Sequence, residues 1–156
     1  MEIYTIGHSN HTKDYFLGLL KDAGIALVID IRALPRSRWA PWANSNTRGE
    51  TLGAAGISYK WLGDKLGGKP SLKKDRKHVV TAADFIGIDR TAVYQDGIRE
   101  LMELAAAQRV AIMCSEEDPA RCHRELVVGK TLRAMGVEVK HLRGNTEHEI
   151  LNSKQI

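Results

Sequence analysis

The chain has 156 residues, of which 43% are hydrophobic and 27% charged, and its formal net charge is +4. These values are typical of one globular domain and exclude collagen-like, coiled-coil and wholly disordered chains. No apolar run approaches the roughly 18–20 residues of a membrane span, and no secretory signal precedes the first strand, so we expect a cytoplasmic protein. Two cysteines, Cys114 and Cys122, are too few for a disulfide scaffold, and we expect both to be reduced thiols.

Strands and helices alternate along the chain. Apolar runs predict five strands, at 2–6, 26–31, 57–62, 110–114 and 137–142. Helical periodicity predicts helices at 12–23, 47–55 and 90–108, and Asp118 followed by Pro119 predicts the start of another that ends at Gly136. Residues 33–44 and 63–80 are expected to be loops.

This alternation predicts an α/β fold. We expect a single three-layer domain over residues 1–143, with helices on both faces of a mostly parallel, five-stranded, Rossmann-like sheet, and a polar C-terminal tail at 144–156. The strand order we favour is 3-2-1-4-5. Ligands of such sheets bind at the carboxyl ends of the strands, where the chain reverses direction across the sheet.

Polar residues follow three of the predicted strands. His8 and Ser9 come after the first strand, Arg32 after the second, and Cys114, Ser115 and Glu116 stand at the end of the fourth. The helix that we expect after Asp118 would place Cys122, His123 and Arg124 in its first turns. We therefore expect one crevice that contains imidazole, guanidinium, thiol and carboxylate groups.

The same residues form motifs that cover most of the chain. These are Thr5-Ile6-Gly7-His8-Ser9; Asp30-Ile31-Arg32 with Pro35, Ser37 and Arg38; Leu62-Gly63 with Leu66-Gly67-Gly68; and Cys114-Ser115-Glu116-Glu117-Asp118-Pro119-Ala120-Arg121-Cys122-His123-Arg124. With them the chain resembles an uncharacterised prokaryotic family, the domain-of-unknown-function family numbered 488. The resemblance implies an α/β fold and no established activity, so the roles of single residues rest on their chemistry.

Three residues are candidates for catalysis. Cys114 stands at a strand end before a helix, as in thiol phosphatases and rhodaneses, where N–H groups favour the thiolate, although a buried structural thiol is the alternative. Three carboxylates in the next loop, from Glu116 to Asp118, argue against a phosphatase. His8 is a candidate general acid or base, or a histidine satisfied by the backbone. Glu116 is a second proton-transfer candidate, or the structural partner of Arg32 or Arg124.

Other residues are candidates for binding an anionic substrate. They are Ser9, Arg32, Arg36, Arg38, Ser115, His123 and Arg124. Residues 32–78 hold eleven of the 23 Lys+Arg and three of the 19 Asp+Glu, which favours an anionic partner over a neutral one unless these cations are simply solvated. Tryptophans near Arg36 and Arg38 could stack on a base or close the core. Asp30 is expected to pair with an arginine.

A metal or a tightly held cofactor is not expected. His8, Cys114, Cys122 and His123 could in principle bind zinc, but their spacing matches no short zinc motif, and the chain has no glycine-rich phosphate or dinucleotide loop. Three hypotheses follow. The leading one is an enzyme acting on a nucleotide or nucleic acid. The alternatives are a non-catalytic nucleic-acid-binding module using residues 32–78, and a thiol-based redox or sulfur-transfer protein.

Overall fold

Strands of one sheet make up the centre of the computed structural model, which describes residues 1–36, 40–44, 48–67, 85–143 and 150–152. Among these residues the strands are β1 (Glu2–Gly7), β2 (Leu27–Asp30), β3 (Ser58–Trp61), β4 (Val110–Cys114), β5 (Glu138–Leu142) and β6 (Ile150–Asn152). Their order across the sheet is β3-β2-β4-β1-β5-β6. The first five are parallel and β6 runs antiparallel to β5. The predicted α/β class is confirmed.

The predicted strand order is wrong in one place, because β4 and not β1 lies beside β2. Both β1 and β4 are buried almost throughout, so their apolar patterns show that each is central without showing which comes first. The sheet also extends further than expected, since β6 comes from the segment that we predicted to be a polar tail and pairs with the open edge of β5. The new order places the carboxyl ends of β2, β4 and β1 side by side.

Helices cover both faces of this sheet. Their bounds are α1 (Lys13–Asp22), α2 (Arg48–Ala54), α3 (Gly63–Leu66), α4 (Ala92–Ala107) and α5 (Lys130–Ala134), and a π helix at Arg124–Gly129 leads directly into α5. Thr12 caps α1 by accepting a hydrogen bond from the backbone N–H of Tyr15. We expected residues 63–80 to form a loop, but the first four of them form the short helix α3. Residues 68–80 lie outside the described part of the chain.

The strands alternate their side chains between two apolar clusters. Phe16 of α1 and Leu52 of α2 pack on one face with Val28 and Met113. On the opposite face, α4 and α5 pack against the other set of strand residues, among them Ile29, Ile112 and Cys114. The chain therefore leaves β1 towards the α1–α2 face and leaves β4 towards the α4–α5 face. Neighbouring parallel strands whose connections diverge in this way leave a crevice between their ends.

The segment after β4 differs from the prediction. Asp118 caps a 3-10 turn, Pro119–Arg121, by accepting a 3.0 Å hydrogen bond from the backbone N–H of Ala120. Cys122 then has an extended backbone, and the longer helix begins only at Arg124. A cap followed by proline specifies where a helical turn begins but not how far it continues. Cys122 consequently lies in a bend at the start of the helix, where its carbonyl accepts from the backbone N–H groups of Glu125 and Leu126, while His123 has helical backbone angles and precedes Arg124 in the first turn.

Candidate active site at the ends of β4 and β1

The loops that follow β1 and β4 run together before they diverge. The backbone N–H of His8 donates to the carbonyl of Cys114 at 3.0 Å, and that of Ser9 donates to the carbonyl of Ser115 at 2.8 Å. A Cβ atom on Gly7 would overlap the carbonyl oxygen of Glu116, so only glycine permits this approach. Ser9 has a φ of 43°, in the left-handed region that non-glycine residues seldom adopt.

The sulfur atoms of Cys114 and Cys122 are in direct contact, as the partners of a disulfide are. Cys114 is 1% exposed and Cys122 is 5% exposed. We expected both to be reduced thiols, and nothing in the sequence indicated that the two sulfurs meet. Two cysteines eight residues apart have no fixed relation in a sequence. Here the Asp118-capped turn folds the chain back so that the second sulfur reaches the end of β4.

Arg124 lies against this pair of sulfurs and is fully buried. Its Nη1 donates to Cys114 Sγ at 3.0 Å and to the carbonyl oxygen of Glu116, and its Nη2 donates to the carbonyl oxygen of Glu117 at 2.8 Å. Burial lowers the pKa of Arg124 to about 10. That value is still well above neutral pH, so the guanidinium remains charged. The expected contact with the Glu116 carboxylate is replaced by one with its carbonyl, while the Glu117 carboxylate binds Arg143 through two 2.8 Å hydrogen bonds.

Cys122 has a different neighbour, His123. The Nε2 atom of this imidazole lies 3.0 Å from the carbonyl oxygen of Ile31, an arrangement that requires the proton on Nε2. In the neutral imidazole the other nitrogen, Nδ1, is then an acceptor, and it lies 3.7 Å from Cys122 Sγ. The backbone N–H of Arg124 also donates to this sulfur, at 3.5 Å. Each sulfur therefore has its own polar partner: a guanidinium for Cys114 and an imidazole for Cys122.

Behind Arg124 lies a chain of buried polar side chains that the sequence analysis did not single out. Arg124 Nε donates to Thr5 Oγ1 at 3.0 Å, and Thr5 Oγ1 contacts His141 Nδ1. His141 Nε2 lies 2.9 Å from Glu125 Oε2, and Arg133 donates to the same carboxylate. A buried polar residue within each of the strands β1 and β5 was the available signal: Thr5 and His141 lie opposite each other in the sheet.

The charge states of these hydrogen-bonded side chains follow from their burial and their partners. Burial lowers the pKa of His141, which keeps its imidazole neutral. For Glu125 burial alone would raise the pKa, but hydrogen bonds from His141 and Arg133 hold it below its ordinary value. Glu125 and Arg133 thus form a neutral pair, and the positive charge beside the sulfurs is that of Arg124.

A second buried arginine, Arg32, lies at the end of β2. As predicted, it pairs with Asp30: its Nε and Nη2 donate to the two carboxylate oxygens at 2.9 and 2.7 Å. The same carboxylate accepts a 2.6 Å hydrogen bond from Tyr59, and Nη2 also donates to the carbonyl oxygen of Ala43. Within the part of the chain that the structure describes, Arg32 Nη1 is buried and has no hydrogen-bond partner.

The other predicted residues are dispersed around the crevice. His8 is buried, and its Nδ1 lies 3.0 Å from the carbonyl oxygen of Ser9, with the Trp42 ring at an edge-to-face distance of 6.5 Å. Trp42 packs on Phe16 and thus helps to close the core. Ser115 is half-buried, whereas the side chains of Glu116 and Arg36 are exposed. Arg38 lies outside the described residues.

The described residues contain no group of three or more histidine, cysteine or acidic side chains that could hold a metal ion. No described helix is long and apolar enough to span a membrane. Of the eleven basic residues at 32–78, Lys60 and Lys65 are paired with acidic residues of α4, Arg36 is exposed, and six lie outside the described residues.

Fold and site together define an α/β protein with two contacting cysteines where the ends of β4 and β1 meet. The chain belongs to the family described as Domain of unknown function DUF488, whose model matches residues 12–130. This range includes Arg32, Cys114, Cys122 and Arg124. Comparison with curated proteins and with solved structures gives no match.

Proposed function

We propose that the protein is a thiol–disulfide redox protein in which Cys114 and Cys122 exchange two electrons with a thiol reductant. The observation that carries this proposal is the contact between the two sulfurs beneath the Arg124 guanidinium, whose Nη1 lies 3.0 Å from Cys114 Sγ. A cation beside a sulfur favours the thiolate, which is the species that attacks and leaves in disulfide exchange. Of the three hypotheses from the sequence, this one is supported by the contact between its two residues.

In this proposal the two cysteines have different roles. The thiolate of a low-molecular-weight or protein thiol attacks Cys122 Sγ, because Cys122 is the less deeply buried of the two residues. The S–S bond breaks and Cys114 leaves as a thiolate that Arg124 stabilises. A second thiolate of the reductant then attacks the reductant's sulfur in the mixed disulfide and displaces Cys122. The reductant leaves as its disulfide, having given two electrons. Of the two protons that its thiols released when they became thiolates, one goes to Cys122 and the other to solvent, while Cys114 stays a thiolate beside Arg124.

His123 serves the second sulfur in this scheme. Its Nδ1 atom is an acceptor, so the Cys122 thiol of the reduced form can donate to it across 3.7 Å. When the reaction runs in the oxidising direction, Nδ1 accepts the proton of Cys122 as its thiolate forms. A guanidinium cannot take that role, because it has no acceptor atom. The two polar neighbours therefore have different roles: Arg124 stabilises the negative charge of the Cys114 thiolate, and His123 accepts the proton of the Cys122 thiol.

The test is a thiol count under controlled redox conditions. Purified protein is equilibrated with mixtures of reduced and oxidised glutathione, quenched with acid, alkylated in denaturant and weighed by mass spectrometry. We expect the fraction with two alkylated thiols to convert to a fraction with none in one two-electron step, at a glutathione ratio different from that of the same chain unfolded in urea. Two alkylated thiols at every ratio would overturn the proposal. The C122S variant should instead retain one thiol or form a mixed disulfide with glutathione.

A second candidate function, an enzyme acting on a phosphate-bearing substrate, is favoured by one observation. Arg32 Nη1 is a buried donor without a partner among the described residues, and it lies near the carboxyl ends of the strands, where such sheets bind ligands. Asp30 neutralises the Arg32 charge, which is why we place this function second. Inorganic phosphate and nucleotides should raise the melting temperature of the wild type, and should raise that of Arg32→Lys less. Lys21→Gln, which removes an exposed cation of α1, is the control. No shift with any of them would exclude this function.

A further inference from the structure

The chain of side chains behind Arg124 has a single direction of hydrogen-bond donation. Arg124 Nε can only donate, so Thr5 Oγ1 accepts. The Thr5 hydroxyl proton is then directed to His141 Nδ1, which must be an acceptor. His141 carries its proton on Nε2 and donates it to Glu125 Oε2 at 2.9 Å. Each link from the guanidinium to the carboxylate therefore determines the next one.

This direction requires a neutral imidazole. A protonated His141 would turn Nδ1 into a donor, and the Thr5 hydroxyl would then meet two donors and have no place in the chain for its own proton. The charged groups that face His141 are Glu125, Arg124 and Arg133. Burial and the two arginines disfavour the imidazolium, and Glu125 favours it. The lowered pKa of His141 agrees with the tautomer that the hydrogen bonds demand.

A neutral anchor matters because of what it leaves unchanged. A carboxylate that held Arg124 directly would fix the guanidinium equally well but would cancel its charge, as Asp30 does for Arg32. A hydroxyl fixes the Nε side of the guanidinium and leaves the charge intact. Because the Thr5 hydroxyl is itself fixed by His141 and Glu125, the guanidinium has one orientation, with Nη1 on the sulfur of Cys114.

We propose that Thr5, His141 and Glu125 are positioning residues of the thiol site: they hold the Arg124 guanidinium against Cys114 Sγ without neutralising it, and so determine how much of Cys114 is thiolate. This inference rests on the proposed function and deepens it. None of the three residues contacts the sulfurs; each acts through Arg124. Their effect is therefore expected in the ionisation of Cys114, whereas a merely structural role would appear in stability alone.

The first test removes one hydroxyl. In the C122S background, where Cys114 is the remaining thiol, the thiolate is titrated by its ultraviolet absorbance as a function of pH. Thr5→Val should lower the thiolate fraction at a given pH by about tenfold, since it loosens the cation that stabilises the charge. Thr5→Ser keeps the hydroxyl and should restore the titration. Thr131→Val is the matched control, because it removes the hydroxyl that contacts Tyr94 elsewhere in the same half of the core.

A folded Thr5→Val protein with an unchanged titration would overturn the inference, as would an equal shift in Thr131→Val. Should Thr5→Val not fold, a measurement on the wild type decides the matter. Nitrogen chemical shifts of His141 should show a neutral ring protonated on Nε2 at neutral pH. An imidazolium, or a proton on Nδ1, would contradict the chain.

The two proposals can fail separately. If glutathione never oxidises the wild-type pair, the redox function fails, while the response of the Cys114 titration to Thr5→Val still reports on the positioning chain. If oxidation proceeds and the titration ignores Thr5, the redox function stands and the chain is structural.

Discussion

The two buried arginines differ in how the protein compensates their charge. Arg32, at the end of β2, is held by a bidentate contact with Asp30, which faces the α1–α2 side of the sheet. Arg124, on the α4–α5 side, contacts a sulfur, a hydroxyl and two backbone carbonyl oxygens. Both are fully buried. When a buried guanidinium is paired with a carboxylate, the pair has no net charge and its role is structural. When a buried guanidinium is held by uncharged groups, it keeps a positive charge that can stabilise a thiolate.

The largest expected effect separates these two arginines. Arg32→Met leaves the buried Asp30 carboxylate without its cation and should cost about 3–5 kcal/mol of unfolding free energy. Arg124→Met leaves mainly neutral acceptors behind and should cost less, about 1–3 kcal/mol, while lowering the Cys114 thiolate fraction. Urea unfolding followed by circular dichroism gives both values. Adding Asp30→Asn to Arg32→Met should recover much of the loss, and equal costs for the two arginines would contradict the comparison.

The next largest effect is expected at two glycines that allow close backbone contacts, Gly7 near Arg124 and Gly63 near Arg32. A Cβ on Gly7 would overlap the carbonyl oxygen of Glu116, and one on Gly63 would overlap that of Arg32. We expect Gly7→Ala and Gly63→Ala each to cost about 1–3 kcal/mol or more, because the backbone must move in both cases. Only Gly7→Ala should also change the glutathione equilibrium of the cysteines. Gly53→Ala in α2, where a Cβ meets nothing, should stabilise by up to about 1 kcal/mol.

The pH dependence of stability provides a smaller effect. The pKa of His141 lies below its ordinary value of 6.5 in the folded protein, so the unfolded chain binds this proton first as the pH falls. Stability from this source is complete above pH 6.5 and declines below it, by up to about 1.4 kcal/mol per pH unit. His141→Asn should remove this slope.

His11, beside α1, is the matched control on the other side of the sheet. Burial lowers its pKa too, but the residue is only half-buried, so His11→Asn should remove less of the slope. A wild-type slope that both variants leave intact would show that neither histidine is held neutral by the fold.

The smallest expected effect concerns Ser9. Its φ of 43° is unfavourable for a residue with a Cβ, so Ser9→Gly should change the unfolding free energy by less than about 1 kcal/mol, in the stabilising direction. The backbone hydrogen bond to Ser115 does not depend on the side chain. A loss of stability above that size would show that the Ser9 hydroxyl is needed to hold the loops together.

Much of the architecture could be predicted because it follows from periodicity. The bounds of β4 coincide with the apolar run at 110–114, and α4 follows its predicted stripe to within two residues. The order of β1 and β4 could not be predicted, because two strands buried on both faces have interchangeable patterns. The length of the helix after Asp118 was wrong for a similar reason, since a cap carries no information about the next turns.

The crevice between the strand ends could be predicted in its location, but the side-chain contacts within it could not. The ends of β1, β2 and β4 bear polar residues in the sequence, which indicated one crevice. The contact of Cys114 with Cys122 depends on a turn, and the pairing of His141 with Thr5 depends on the neighbouring position of β5. Both are tertiary facts. Glu125 was missed because it stands beside Arg124 in the sequence, where a regular helix would direct the two side chains roughly 100° apart.

The π helix at Arg124–Gly129 explains how the side chains of Arg124 and Glu125, neighbours in the sequence, can both be buried. Its hydrogen bonds span five residues, so the coil is wider and rotates less from one residue to the next. Adjacent side chains of opposite charge, Arg124 and Glu125, can therefore both enter the interior, and the Glu125 carboxylate lies where Gly129 has no Cβ. Deleting a single residue from this coil would restore ordinary winding and send one of the two to the surface. The buried positions of the Arg124 guanidinium and the Glu125 carboxylate therefore both depend on the π-helical backbone, and a change in that backbone would displace at least one of them.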